Sequence, residues 1–173
     1  MADTIRDKAE LLALVQVGVA GGIDAQAMRD MLVSVFGVYG SIVVQGGSTA
    51  QAFASGVAEV MTEWTGNGTT NDGMTPDYAN NKITIDNDGV YKVDFFCSFQ
   101  GNNPIVNEFE LRIDGAATDI GFQRKTSSAD VGSGSFSAVV TLGATEELSV
   151  WFTGNGVSNF TAVDAALVVT RIG

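Results

Sequence analysis

Apolar and polar positions change their period near Gly46-Gly47. Before that point the spacing is helical. Met28, Met31, Leu32, Val35 and Phe36 fall at i, i+3, i+4, i+7 and i+8, which makes one apolar stripe. Asp24 is placed to cap this helix, Ile23 and Met28 form a hydrophobic staple across the cap, and Gly37 suits its end. Upstream, Thr4-Ile-Arg-Asp7 is a capping-box variant that opens a helix running to about Val15. Two helices this short are unstable alone in water. They require a partner: the rest of the chain, sister subunits or another protein.

From Ser48 onward the period is two. Val57 to Trp64 reads as a strand, and Thr65 to Asn81 as a long polar connection rich in Gly and Asn. Ile83-Thr-Ile85 leads into a turn at Asp86-Asn87-Asp88-Gly89. Tyr91, Val93, Phe95, Cys97 and Phe99 then alternate on one face. Phe109, Leu111 and Ile113 alternate against Glu108, Glu110 and Arg112, and Asp114-Gly115 turns that strand. Phe136, Ala138, Val140 and Leu142 repeat the pattern, as do Leu148, Val150 and Phe152. A closing strand spans Ala162 to Ile172. Short strands at regular spacing, without βαβ alternation, predict a mainly β fold. The expected architecture is an antiparallel jelly-roll sandwich, residues 48–173, preceded by a short N-terminal α-helical arm, residues 1–47.

Two stretches break the one-sided pattern. Phe96 points opposite to Phe95 and Cys97, and Ala165 to Val169 are apolar on both faces. A Phe left in water forgoes roughly 1.5–3 kcal/mol of burial. A covering loop or the N-terminal helices would relieve this, and so would a subunit interface. The recurrence over several strands favours the interface.

Composition narrows the function by exclusion. The net charge is −11, from 20 acidic and 9 basic residues, and Arg124-Lys125 is the only adjacent basic pair. Nucleic-acid binding needs clustered cations, so it is not expected. The absence of histidine removes Ser-His and Cys-His catalysis and His-ligated zinc. Cys97 is the sole cysteine, so internal disulfides and thiolate clusters are excluded, and a reducing site of synthesis fits. Leu11 to Ala20 lacks the positive flank of a signal peptide, and no run is long enough to span a membrane.

Candidate chemistry is sparse. Asp86 and Asp88 flank a turn but lack the spacing of an EF-hand loop. Glu146-Glu147 point to opposite faces if extended, which makes them a poor acid–base pair. The Gly66-Asn67-Gly68, Gly132-Ser133-Gly134 and Gly154-Asn155-Gly156 stretches lack the Lys-Ser/Thr of a phosphate loop. Cys97 falls mid-strand on the core face. Trp64, Tyr78 and Trp151 suit packing, or alternatively sugar stacking. No catalytic, cofactor or metal site is expected.

Two stretches carry a resemblance. Arg6 to Leu14 with Gly21 to Gly37 resembles the two-helix N-terminal module of phage virion proteins, among them tail-fibre and head-decoration proteins. Met74 to Val93, continuing to Phe99, resembles the jelly roll of tumour necrosis factor and the complement globular head, most clearly at Gly89-Val-Tyr91. The resemblance implies a non-enzymatic homotrimer with aromatics near the threefold axis. Tyr91, Phe96, Phe136, Trp151, Leu167 and Val168 are therefore candidate trimer-interface residues. Met28, Arg29, Met31, Leu32, Val35 and Phe36 are candidates for docking onto the capsid or tail. The expected role is a capsid decoration (cement) protein at the virion surface, made in the bacterial host cytoplasm and bound to the major capsid or another virion protein. The alternative is a tail-fibre, tail-spike or head-fibre protein bound to a host-surface receptor or glycan. The missing stalk favours a compact knob.

Overall fold

The computed structural model describes residues 37–71, 73–101, 104–127, 130–156 and 158–173. Their strands, in chain order, are β1 (Tyr39–Val44), β2 (Gln51–Phe53), β3 (Glu59–Val60), β4 (Gly66–Asn67), β5 (Met74–Asp77), β6 (Lys82–Ile85), β7 (Gly89–Gly101), β8 (Val106–Ile113), β9 (Ala116–Lys125), β10 (Asp130–Leu142), β11 (Glu147–Gly154) and β12 (Ser158–Arg171). One 3-10 turn, Tyr78–Asn80, joins β5 to β6. Sheet one has the order β10-β7-β12-β1-β4, with β2 also on β12. Sheet two has the order β5-β6-β11-β8-β9, with β3 also on β11. The ladders are antiparallel. The fold is mainly β and jelly-roll-like.

The alternation read from the sequence decides which side chains fill the space between the sheets. On β7, Tyr91 to Phe99 are buried at every second position. Phe109 and Leu111 are buried on β8, and Leu148, Val150 and Phe152 on β11. The centre is aromatic. Phe109 stacks on Phe122 with centroids 4.7 Å apart and meets Phe99 at 5.1 Å and Phe160 at 5.4 Å. Such ring pairs add to the burial of their area, so this cluster ties sheet one to sheet two.

The two-faced closing strand has a local explanation. The β7–β12 register shifts between Ala162 and Asp164. This bulge reverses the parity, so Ala162 and Ala165 both face the core although three residues apart. Beyond it Leu167 and Val169 point inward, while Val168 points out, half-buried.

Three expectations on element boundaries are corrected. The β domain starts at least at Tyr39, not at Ser48: β1 pairs with β12 from Tyr39↔Thr170 to Val44↔Ala165 and buries Ile42 completely. Gly46-Gly47 is a tight exit from β1 rather than an interdomain link. The Gly47 N–H donates to the Val163 carbonyl at 2.8 Å, and a Cβ on Gly47 would meet the Ala162 carbonyl oxygen at 2.1 Å. Within Val57 to Trp64 only Glu59–Val60 is strand. The Gln51 side chain takes the place of a neighbouring strand, donating to the Val60 carbonyl and accepting from the Thr62 N–H, both at 2.8 Å. The polar connection from Thr65 to Asn81 contains β4 and β5, and β5 buries Met74 and Pro76. The helical arm, with Met28, Arg29, Met31, Leu32, Val35 and Phe36, lies outside the described residues.

Both ends of the described chain meet at one pole. The Arg171 N–H donates to the Val38 carbonyl, and the Val90 N–H to the Gly173 carbonyl, each at 2.8 Å. The turn at Asp86 to Gly89 closes the same pole. The Tyr91 hydroxyl donates to the Asn87 carbonyl at 2.6 Å, and Asp88 accepts from the Ala144 N–H at 2.6 Å.

A candidate assembly face

Register places the outward side chains of sheet one in rows. One row is Ser135–Phe96–Ala166–Val43 and the next is Ser137–Asp94–Val168–Ser41. A third row is Val139–Lys92–Thr170–Tyr39. Phe96 is 51% exposed and Val139 is 61% exposed, with Val168 and Val43 half-buried beside them. Val131, at the far end of β10, is 54% exposed. One ion pair crosses the apolar field: Lys92 Nζ lies 2.8 Å from Asp94 Oδ2. Bonds from Lys92 and Ser137 overcome the cost of partial burial and hold the Asp94 carboxyl below its ordinary value.

The six candidate interface residues do not come together. Phe96 and Val168 sit on this face. Tyr91, Phe136 and Leu167 lie within the chain's own core, at 0%, 8% and 0% exposure, so no sister subunit reaches them without opening the sandwich. Phe136 packs on Phe95 at 5.1 Å, and Leu167 is in register with Phe95. Trp151 is on the outer face of sheet two, across the sandwich. The residues passed over are Val139, Val131 and Tyr39. Val139 carries the same signal as Phe96, an apolar residue out of phase with Phe136, Ala138 and Val140.

The other candidates divide plainly. Trp64 is buried edge-on against Phe95, with centroids 6.4 Å apart, so it is not free to stack on a ligand. Tyr78 is exposed. Cys97 is buried, and desolvation drives its thiol well above the ordinary value, with Glu63 and Asp164 adding to the effect. Among the described residues no group of three or more Cys, Asp or Glu is arranged to hold a metal ion. No described helix is long and apolar enough to cross a membrane.

Glu63 was not singled out by the sequence. It is buried against β12, where Oε2 accepts the Ala162 N–H at 2.6 Å beside the bulge. Oε1 has no partner among the described residues. Burial pushes the carboxyl up to about 7, outweighing the bonds it accepts from the Ala162 and Gln51 backbone.

The fold defined by these two sheets is that of the tumour necrosis factor and complement globular-head jelly rolls. A tumour necrosis factor of S. frugiperda, Eiger, superposes with a TM-score of 0.55 at 9% identity, over 79% of this chain and 93% of that one. The globular domain of zebrafish complement 1qA superposes with a TM-score of 0.58 at 15% identity, over 79% of this chain and 98% of that one. No protein-family profile matches the chain, and no curated protein sequence does.

Proposed function

We propose that this chain is a non-enzymatic structural protein that assembles as a homotrimer by burying the outer face of sheet one, and that the assembled knob decorates a phage head. The observation that carries the assembly is Phe96, half exposed on a regular strand between Ser135 and Ala166, with Val168 in the next row and Val43 one strand beyond Ala166. Apolar and aromatic side chains at the centre of a face, with polar ones around them, are what a subunit interface is made of. The virion placement rests on the resemblance of Arg6 to Gly37 to phage docking arms. In that role the arm packs against the major capsid protein, and the knob stabilises the shell by adding buried area between capsomers.

Two measurements test the two parts. Sedimentation equilibrium of the whole chain should give a trimer, and Phe96→Asp should give a monomer with an unchanged circular dichroism spectrum. A monomeric parent chain would overturn the assembly. Quantitative mass spectrometry of purified virions should find copies comparable to the major capsid protein. A small fraction of that number would move the protein to a tail or vertex, and complete absence would end the virion reading.

A further inference from the structure

The outer face of sheet two carries a groove separate from the assembly face. Trp151 points outward from β11 and is only half-buried. Its indole N–H donates to Ser149 Oγ at 3.0 Å, and the Arg112 guanidinium lies 4.2 Å from the ring centroid. The ring is therefore held at its polar edge and on one face, and what it offers a partner is apolar ring surface. A groove of about 350 Å³ opens beside it. Ser149, Glu147 and Lys82 line it from the sheet, and Asn81 and Asp114 from the flanking turns.

The polar groups around the groove are positioned and have capacity to spare. Lys82 Nζ bonds Glu147 Oε1 at 2.5 Å, which leaves two ammonium protons and the second carboxylate oxygen. Asp114 Oδ1 accepts the Glu147 N–H at 2.8 Å. Asn81 is held at φ 62° with its backbone N–H on the Tyr78 carbonyl, and it borders the groove. A flat ring bordered by an amide, an ammonium and a carboxylate complements a pyranose. One side of such a sugar is C–H, and its rim carries hydroxyls that both donate and accept.

Charge decides the kind of sugar. Lys82 and Arg112 are outnumbered around the groove by Asp114, Glu147 and the Glu110 that pairs with Arg112, and the whole chain carries −11. An acidic or phosphorylated sugar is repelled there. We propose that this groove binds a neutral pyranose unit of a polysaccharide, packed on Trp151 and hydrogen-bonded by Asn81, Lys82 and Glu147. The groove lies within one chain and does not depend on assembly through sheet one.

The test is a two-dimensional NMR titration of the ¹⁵N-labelled whole chain with the methyl glycosides of glucose, galactose, mannose and N-acetylglucosamine. The chain has two tryptophans, so each indole N–H reports separately. At least one glycoside should move the Trp151 signal and leave the buried Trp64 signal in place. Trp151→Ala should weaken that binding by up to about tenfold, the worth of an aromatic contact. Trp151→Phe, which keeps a ring, should retain most of it, and this separates a lost contact from a damaged fold. Asn81→Ala should weaken it several-fold. No Trp151 shift with any of the four, or equal binding by Trp151→Ala, would overturn the proposal. So would tighter binding of sialyllactose than of every neutral glycoside. A Phe96→Asp monomer should bind the sugar as the parent does, so failure here and failure of assembly are distinct results.

Discussion

The outer faces of the two sheets share a geometry and differ in chemistry. Both sit on the backs of antiparallel sheets with the same aromatic core beneath. On sheet two the outward residues are charged and matched: Lys82 with Glu147, and Arg112 with Glu110. On sheet one the outward residues include Phe96, Val139, Val168 and serines, with Lys92–Asp94 as an ion pair among the described residues. Alternation alone guarantees an inside and an outside. What stands on the outside decides whether a face stays in water, and by that measure sheet two, Trp151 apart, is the face finished as a solvent surface.

The sharpest way to break the comparison uses adjacent residues. Phe95→Ala removes a core ring and should cost about 3–5 kcal/mol in urea unfolding. Phe96→Ala, one residue along, should leave monomer unfolding nearly unchanged and act on association instead. Phe96→Asp should weaken self-association by roughly 100-fold or more, the scale of a central interface residue, measured by sedimentation. If both substitutions destabilise the monomer alike, the two sides of β7 are not distinct.

Acidity probes the buried contact between Glu63 and β12. Glu63 ionises near 7 in the folded chain and near its ordinary 4.5 when unfolded. Between those values the folded state holds a proton that the unfolded chain has released. The contribution of Glu63 to stability is therefore greatest below about 4.5, falls as pH rises to about 7, and is flat above. Thermal melts of the parent and Glu63→Gln should differ most above pH 7, with the glutamine variant the more stable there. A constant difference across pH 4.5–8 would refute this assignment. The smallest effect belongs to sheet two. Arg112→Gln removes a partly buried surface ion pair with Glu110 and the contact over Trp151, and should change unfolding by about 1 kcal/mol.

The sequence made much of this legible where period two was clean. β7, β8, β10 and β11 were readable because apolar residues recur at every second position on their inward side, even where an outward one such as Phe96, Val139 or Trp151 is apolar too. β1 was hidden because Tyr39 to Val44 lacks a period of two, with Ile42, Val43 and Val44 apolar in succession. β5 was hidden because Pro76 and its polar neighbours resemble a connection. β9 carries only Ile120 and Phe122 as half-buried anchors, the mark of an edge strand. For the assembly face, parity already held the answer. Tyr91 shares its phase with Phe95, and Phe136 with Val140, so both belong inside. Phe96 was identifiable for the opposite reason. Glu63 left no trace in the pattern, because its burial depends on β12, about a hundred residues away in sequence.

The meeting of both ends at one pole gives the domain a direction. Val38 and Gly173 are fastened to neighbouring backbone beside the 86–89 turn, so whatever precedes residue 37 and whatever is fused after residue 173 leave side by side. The far pole, where β11 ends at Gly154 and β12 begins at Ser158, carries neither end of the described chain. A peptide epitope inserted at Gly156 would thus be displayed at the pole opposite residues 37 and 173, whereas one appended after Gly173 would lie beside residue 37.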